Sequence, residues 1–199
     1  MTSSFAFAHR RLAIIDPDPR SNQPFLDEEL GLAVTYNGEI YNYGDLKRDL
    51  LRRGYQFRTE SDTEVLCKAF ACRGIDSVKR LRGIFAFAIH DHKTGTALLV
   101  RDRLGIKPLY YALADNGVVF APQPSAILQW PGVRPKLDPV GLSSFLSYRT
   151  ASRRENTICR HSKAATRHLA EDHGSIKSIR VGGILPASMM VGIAVLSKR

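Results

Sequence analysis

Residues 84–121 carry two hairpin signals in succession. Apolar runs at 84–90 and 96–101 flank Lys93-Thr94-Gly95, and runs at 109–114 and 118–121 flank Asp115-Asn116-Gly117. Gly-containing turns this short join antiparallel strands, whereas a parallel pair needs a long crossover. Two helical patterns come before the hairpins. Residues 42–54 place Leu46, Leu50 and Leu51 on one face, with Asn42 available as cap and Gly54 as terminator. The second opens at Ser61-Asp62-Thr63-Glu64 and presents Val65, Leu66, Ala69 and Phe70 to a core. A helix pair with consecutive hairpins predicts an α+β fold, a largely antiparallel sheet covered by helices. The unbroken apolar run at 84–89 fits a strand buried on both faces.

Residues 5–16 read as a further strand, broken by Asp16-Pro17-Asp18-Pro19. It contains Arg10 and Arg11, and strand alternation lets one of them face inward. A guanidinium on a pocket wall suits a carboxylate, while on the outer face it is only solvated charge. The alternating residues Leu32, Val34 and Tyr36 lead into Asn37-Gly38-Glu39. An Asn-Gly pair there is either a plain turn or a pair of converging donors, side-chain amide and unshielded N–H, of the kind an oxyanion requires. Glu39 beside it could hold an ammonium group. Asp62, at a helix start, is either a cap or a carboxylate held for a ligand. The Gly- and Pro-punctuated loop 101–108 reads as structural, because its pattern matches no phosphate-binding motif.

The chain of 199 residues has a formal net charge of +10. Residues 151–199 hold 9 Lys/Arg against 3 Asp/Glu, while residues 1–150 hold 20 against 16. The basicity is therefore concentrated in the last quarter, and the body carries no nucleic-acid signature. Cys67, Cys72 and Cys159 lack zinc-ligand spacing and suit a reducing, cytoplasmic setting with structural thiols. His161, His168 and His173 with Glu171 have no core around them and are not read as a metal site. The apolar segment 181–197 contains three glycines and a proline, at the short end for a membrane span, and no membrane role is assigned to it.

Several motifs occur together and in order: His9-Arg10-Arg11-Leu12-Ala13-Ile14-Ile15-Asp16, Gln23-Pro24, Tyr36-Asn37-Gly38-Glu39-Ile40-Tyr41-Asn42, Ser61-Asp62-Thr63-Glu64, Gly83-Ile84-Phe85-Ala86-Phe87-Ala88 and Arg101-Asp102-Arg103-Leu104-Gly105-Ile106-Lys107-Pro108-Leu109-Tyr110. As a set they resemble the class II glutamine amidotransferase domain of glutamine-hydrolysing asparagine synthetases, over roughly residues 6–149. The resemblance implies an N-terminal-nucleophile hydrolase fold, a four-layer αββα sandwich. It implies that Arg11 holds the α-carboxylate of L-glutamine, that Glu39 and Asp62 hold its ammonium, and that Asn37 with the Gly38 N–H stabilises the oxyanion. In that family an N-terminal Cys thiolate attacks the side-chain amide, its own amine serves as base, and the ammonia passes to an ATP-using synthetase site.

Two departures shape the expectation for this chain. It begins Met1-Thr2-Ser3-Ser4, without a Cys after the initiator, and no Ser-Gly-Gly-Leu-Asp-Ser type pyrophosphate loop follows. From Thr150 on there is no Phe, Trp or Tyr, and the family pattern stops. The expected organisation is an amidotransferase domain at 1–149 lacking its N-terminal segment, and a basic tail at 150–199 that is disordered or read in a shifted frame. No cofactor is expected on these residues, since ATP and magnesium would belong to the synthetase domain. Expected partners are L-glutamine, that domain and, among assemblies, a homodimer. The enzyme class is expected to be asparagine synthase, with this chain inactive alone. A non-catalytic glutamine-binding module is the alternative, and an interaction protein working through the basic tail is a third reading.

Overall fold

The computed structural model describes residues 5–11, 15–114, 117–131, 133–135, 139–149, 168–172, 177–181 and 190–193. Its elements in chain order are β1 (Phe5–Ala8), β2 (Phe25–Asp27), β3 (Leu32–Ile40), α1 (Tyr43–Arg52), α2 (Asp62–Arg73), β4 (Gly83–Asp91), β5 (Thr96–Arg101), β6 (Tyr110–Ala114), β7 (Gly117–Ala121), α3 (Pro124–Ile127), α4 (Pro139–Tyr148), β8 (His168–Asp172), β9 (Lys177–Val181) and β10 (Met190–Ile193), with 3-10 turns at Pro19–Ser21 and Gly74–Arg80. They fall into two compact units, each with its own sheet. The class is α+β: the pairings among β2 to β9 are antiparallel, and β10 runs parallel to β7.

The larger unit, which includes residues 8–108, holds the six-stranded sheet β2-β3-β4-β5-β9-β8. Its centre is β3 against β4, nine residues in register from Leu32↔Asp91 to Ile40↔Gly83. The residues from Phe85 to His90 are all buried, as an unbroken apolar strand requires. Leu46 and Leu50 of α1 and Val65 and Leu66 of α2 join Val34, Tyr36, Ile40, Phe85 and Phe87 in one core. Leu51 is not part of that face and stands exposed. The helix α2 is buried almost all round from Ser61 to Ala69, which is why its apolar residues follow no single stripe. The 101–108 loop is closed by Asp102, which accepts from the N–H groups of Phe85, Ile106 and Lys107, and by Arg101, which donates to the carbonyls of Gly105 and Lys107.

The smaller unit, which includes residues 109–166, holds β6, β7, β10 and β1. The predicted hairpin pairs Tyr110↔Ala121 through Ala114↔Gly117, and its core joins Ala112, Val119 and Ala121 to Ala126 and Ile127 of α3. Phe7 of β1 meets Phe120 edge-on with ring centres 5.8 Å apart. Of the strand expected over 5–16, the described residues form Phe5–Ala8 and leave it at His9. Three segments from the 150–199 region also appear as strands: β8 pairs with β9, β9 with β5, and β10 with β7. His161 and His173 lie outside the described residues, as does most of the apolar segment 181–197, and no described helix is long and apolar enough to cross a membrane.

Candidate functional site

Asn37-Gly38-Glu39 is not a turn. It lies inside β3, paired with Ala86, Phe85 and Ile84 of β4. Gly38 has φ +149, and a β-carbon there would stand 2.1 Å from the Ile84 carbonyl oxygen, so only glycine allows the two strands to approach at this point.

The other edge of β3 makes the site. The strand β2 covers β3 only at Leu32, Ala33 and Val34. Beyond that point, side chains replace the missing strand. The Tyr36 N–H donates to Gln23 Oε1 at 2.6 Å, and the Ile40 N–H donates to Asp62 Oδ2 at 3.3 Å. Backbone groups alternate along a strand, so the Gly38 N–H faces this same edge, midway between those two capped positions. The arrangement leaves one backbone donor flanked by an amide and a carboxylate.

Asp62 is free for this role because it is not the helix cap. Ser61 is the cap, its Oγ accepting from the Thr63 N–H at 3.1 Å. The Asp62 carboxylate turns instead to β3 and also accepts from the Tyr36 hydroxyl at 2.8 Å. It is buried, and that burial raises its pKa; the bonds from Tyr36, Ile40 and Thr63 and the positive charge of Arg11 pull the other way without cancelling the rise. The Tyr36 hydroxyl is pushed far above its ordinary value, by burial first and then by the Asp62 charge, so it remains a donor.

Arg11 is the inward member of its pair, half-buried where Arg10 is exposed. Its Nη2 donates to the carbonyls of Ile15 and Asp16, which fold the chain back on the guanidinium. Its Nη1 is buried and meets no hydrogen-bond partner among the described residues. A buried unpaired guanidinium nitrogen is costly unless something accepts from it. His9, two residues earlier, shares a 3.2 Å hydrogen bond with Thr35 Oγ1, and burial followed by the Arg11 charge lowers its pKa to about 4.

Gly38 and Asp62 therefore lie together on the open edge of β3, and the charge of Arg11 is felt by Asp62. Asn37 and Glu39 alternate to the face opposite Tyr36 and Ile40, and both side chains are exposed beside Gly38. The charge of Glu39 is felt by Tyr36. Asn42, expected to cap α1, makes no cap bond. Its amide bridges the Arg80 carbonyl and the Arg82 N–H instead, tying the end of β3 to the segment leading into β4.

Three residues of the edge carry no role in the sequence reading: Gln23, Tyr36 and Thr63. All lie within motifs quoted above, and nothing in their spacing marks them, because their partners are 13, 26 and 40 residues away. Neither described cysteine faces this edge as a nucleophile. Cys67 is fully buried in α2, where burial pushes its thiol up to about 12, and Cys72 is half-buried at the far end of that helix.

A family model for the glutamine amidotransferase domain matches residues 1–174. Asparagine synthetase [glutamine-hydrolyzing] 3 of Bacillus subtilis is 40% identical over 141 residues, covering 70% of this chain and 23% of that protein. Asparagine synthetase [glutamine-hydrolyzing] 3 of Arabidopsis thaliana is 41% identical over 121 residues, covering 60% and 20%. Among solved structures, the glutamine phosphoribosylpyrophosphate amidotransferase from B. subtilis complexed with ADP and GMP is 30% identical, with a TM-score of 0.46, covering 55% of this chain and 26% of that one. The chain thus spans less than a quarter of the length of these two curated relatives.

Proposed function

Because this chain belongs to the glutamine amidotransferase domain family, we propose that the open edge of β3 binds L-glutamine and stabilises the oxyanion formed when its side-chain amide is attacked. Arg11 takes the α-carboxylate through its unpaired Nη1. Asp62 and Glu39 take the α-ammonium. The Gly38 N–H and the Asn37 amide receive the developing negative charge on the amide oxygen. Hydrolysis yields glutamate and ammonia, and in this reading the ammonia serves an ATP-dependent, asparagine-forming synthetase domain. ATP and magnesium belong to that domain and not to these residues. The protein works in the cytoplasm, alone or as a homodimer.

One observation carries the reading. The Gly38 N–H lies on a strand edge whose neighbouring N–H groups are already taken by Gln23 and Asp62. Calorimetric titration of the chain with L-glutamine is the test. Saturable binding that weakens on Asp62→Asn is expected, and heat no greater than that for a neutral amide such as propionamide would overturn it.

The family's attacking group is a thiolate, and of the described cysteines Cys67 is buried with its thiol pushed up to about 12 while Cys72 lies at the end of α2 away from Asp62. That favours a second reading in which the chain binds glutamine without turning it over.

A further inference from the structure

We infer that Tyr36 is a positioning residue for recognition of the ligand's α-ammonium: it orients the Asp62 carboxylate as one link of a closed ring of hydrogen bonds that joins the start of α2 to the open edge of β3. The inference rests on the glutamine reading above and adds to it the residues that determine selectivity for an α-amino acid.

The ring can be traced atom by atom. The Tyr36 hydroxyl donates to Asp62 Oδ2 at 2.8 Å. Asp62 is followed by Thr63, whose Oγ1 accepts from Gln23 Nε2 at 3.4 Å. The other end of the Gln23 amide, Oε1, accepts from the backbone N–H of Tyr36 at 2.6 Å. Both ends of Tyr36, side chain and main chain, are thus tied to the same turn of α2. Tyr36, Asp62 and Thr63 are buried and Gln23 is half-buried.

Its effect is on orientation. The Ile40 N–H bonds the same Oδ2 that Tyr36 bonds. Two donors converge on one oxygen and restrain the carboxylate. Without the hydroxyl, the 3.3 Å contact to Ile40 and the Thr63 N–H would remain to hold the carboxylate. A carboxylate held less firmly loses part of the preset geometry that makes a charge-assisted bond to an ammonium selective. The phenol itself need not touch the ligand.

The experiment compares two ligands on the full 199-residue chain by calorimetry: L-glutamine, and 4-carbamoylbutanoate, which is the same molecule without its α-amine. The unsubstituted chain should prefer L-glutamine, and Asp62→Asn should abolish that preference. Tyr36→Phe should weaken L-glutamine binding about tenfold, the scale of one charged hydrogen bond, while leaving 4-carbamoylbutanoate unchanged. A purely structural role would weaken both ligands together, and that result, or an unchanged preference, would overturn the inference alone. Failure of the unsubstituted chain to bind L-glutamine would overturn the glutamine reading and this inference with it. If Tyr36→Phe does not fold, Gln23→Met opens the same ring from its other side and should shift the preference in the same direction; a preference equal to that of the unsubstituted chain counts against the ring.

Discussion

The carbonyl oxygen of Ile84 occupies the space where a side chain on Gly38 would begin, 2.1 Å from the position of the missing β-carbon. Gly83 stands in the same relation to the Glu39 carbonyl, so the two strands approach through a reciprocal pair of glycines. Gly38→Ala must then push β3 from β4 and adopt a φ of +149 with a side chain present. Overpacking and backbone strain each cost on the order of 1–3 kcal/mol. We expect a loss of at least ~2 kcal/mol in urea unfolding, and a loss below ~0.5 kcal/mol, the range of an ordinary surface change, would show that the strands separate freely.

Arg11→Lys should weaken glutamine binding by about tenfold or more, because an ammonium cannot reproduce a planar fork that bonds two backbone carbonyls and still presents a free nitrogen. Retained affinity in the Lys variant would remove Arg11 from the site. The melting temperature should fall only slightly, since the segment it braces is short.

Lys68, Asp27 and Glu64 form a buried ionic trio. Lys68 Nζ is 3.0 Å from Asp27 Oδ2 and 3.4 Å from Glu64 Oε1, and Glu64 also accepts from the N–H groups of Arg58 and Thr59. These bonds anchor the loop that leads into Asp62. Lys68→Met removes the cation and leaves two buried carboxylates facing each other, at a cost of about 3–5 kcal/mol. Chemical denaturation should show it, and restoring neutrality with Asp27→Asn and Glu64→Gln in the same chain should recover much of the loss.

Acid should destabilise the fold in a defined window. Burial lowers the pKa of His9 to about 4 and that of His90 to about 4, with Arg11 and His92 adding to the respective shifts. A histidine whose folded pKa lies below its unfolded value of 6.5 binds its proton more readily when unfolded. Its contribution is complete above about pH 6.5 and is lost as pH falls toward about 4. Asp62, raised by burial, has the opposite sign: its protonation favours the folded state as pH falls through its raised pKa. The histidines should dominate, so the urea midpoint should fall across that window, and His9→Gln should flatten the slope. A midpoint that rises on acidification would mean that Asp62 outweighs them.

Much of this fold could be read locally. The hairpins β4–β5 and β6–β7 follow from apolar runs and Gly-containing turns, and Ser61 caps α2 as its sequence suggests. The motifs of the candidate site stand out in the sequence, whereas its geometry does not. Asn37-Gly38 leaves a turn open because the dipeptide favours one, and it becomes a strand because nine residues of β4 pair with β3. Asn42 forgoes its cap for partners about 40 residues away. The roles of Gln23 and Tyr36 depend on long-range hydrogen bonds at an uncovered strand edge, which no local periodicity records.

In the proposed function the Gly38 N–H is assigned to an oxyanion, and neither described cysteine lies beside it. Cys67 lies fully buried within α2 with its thiol pushed up to about 12, so almost none of it is thiolate at neutral pH. Cys72 sits near the end of α2 opposite Asp62. Positioning and oxyanion stabilisation without a nucleophile leave an acceleration of only about 10³–10⁴ over water, too little to detect against the slow uncatalysed hydrolysis of an amide. We therefore expect the purified 199-residue chain to release no measurable ammonia from glutamine while still binding it, and Cys67→Ala and Cys72→Ala to leave both results unchanged. Ammonia release that disappears with either substitution would place an internal thiol in the chemistry. Release that survives both but is lost on Thr2→Ala would make the Thr2 hydroxyl the attacking group.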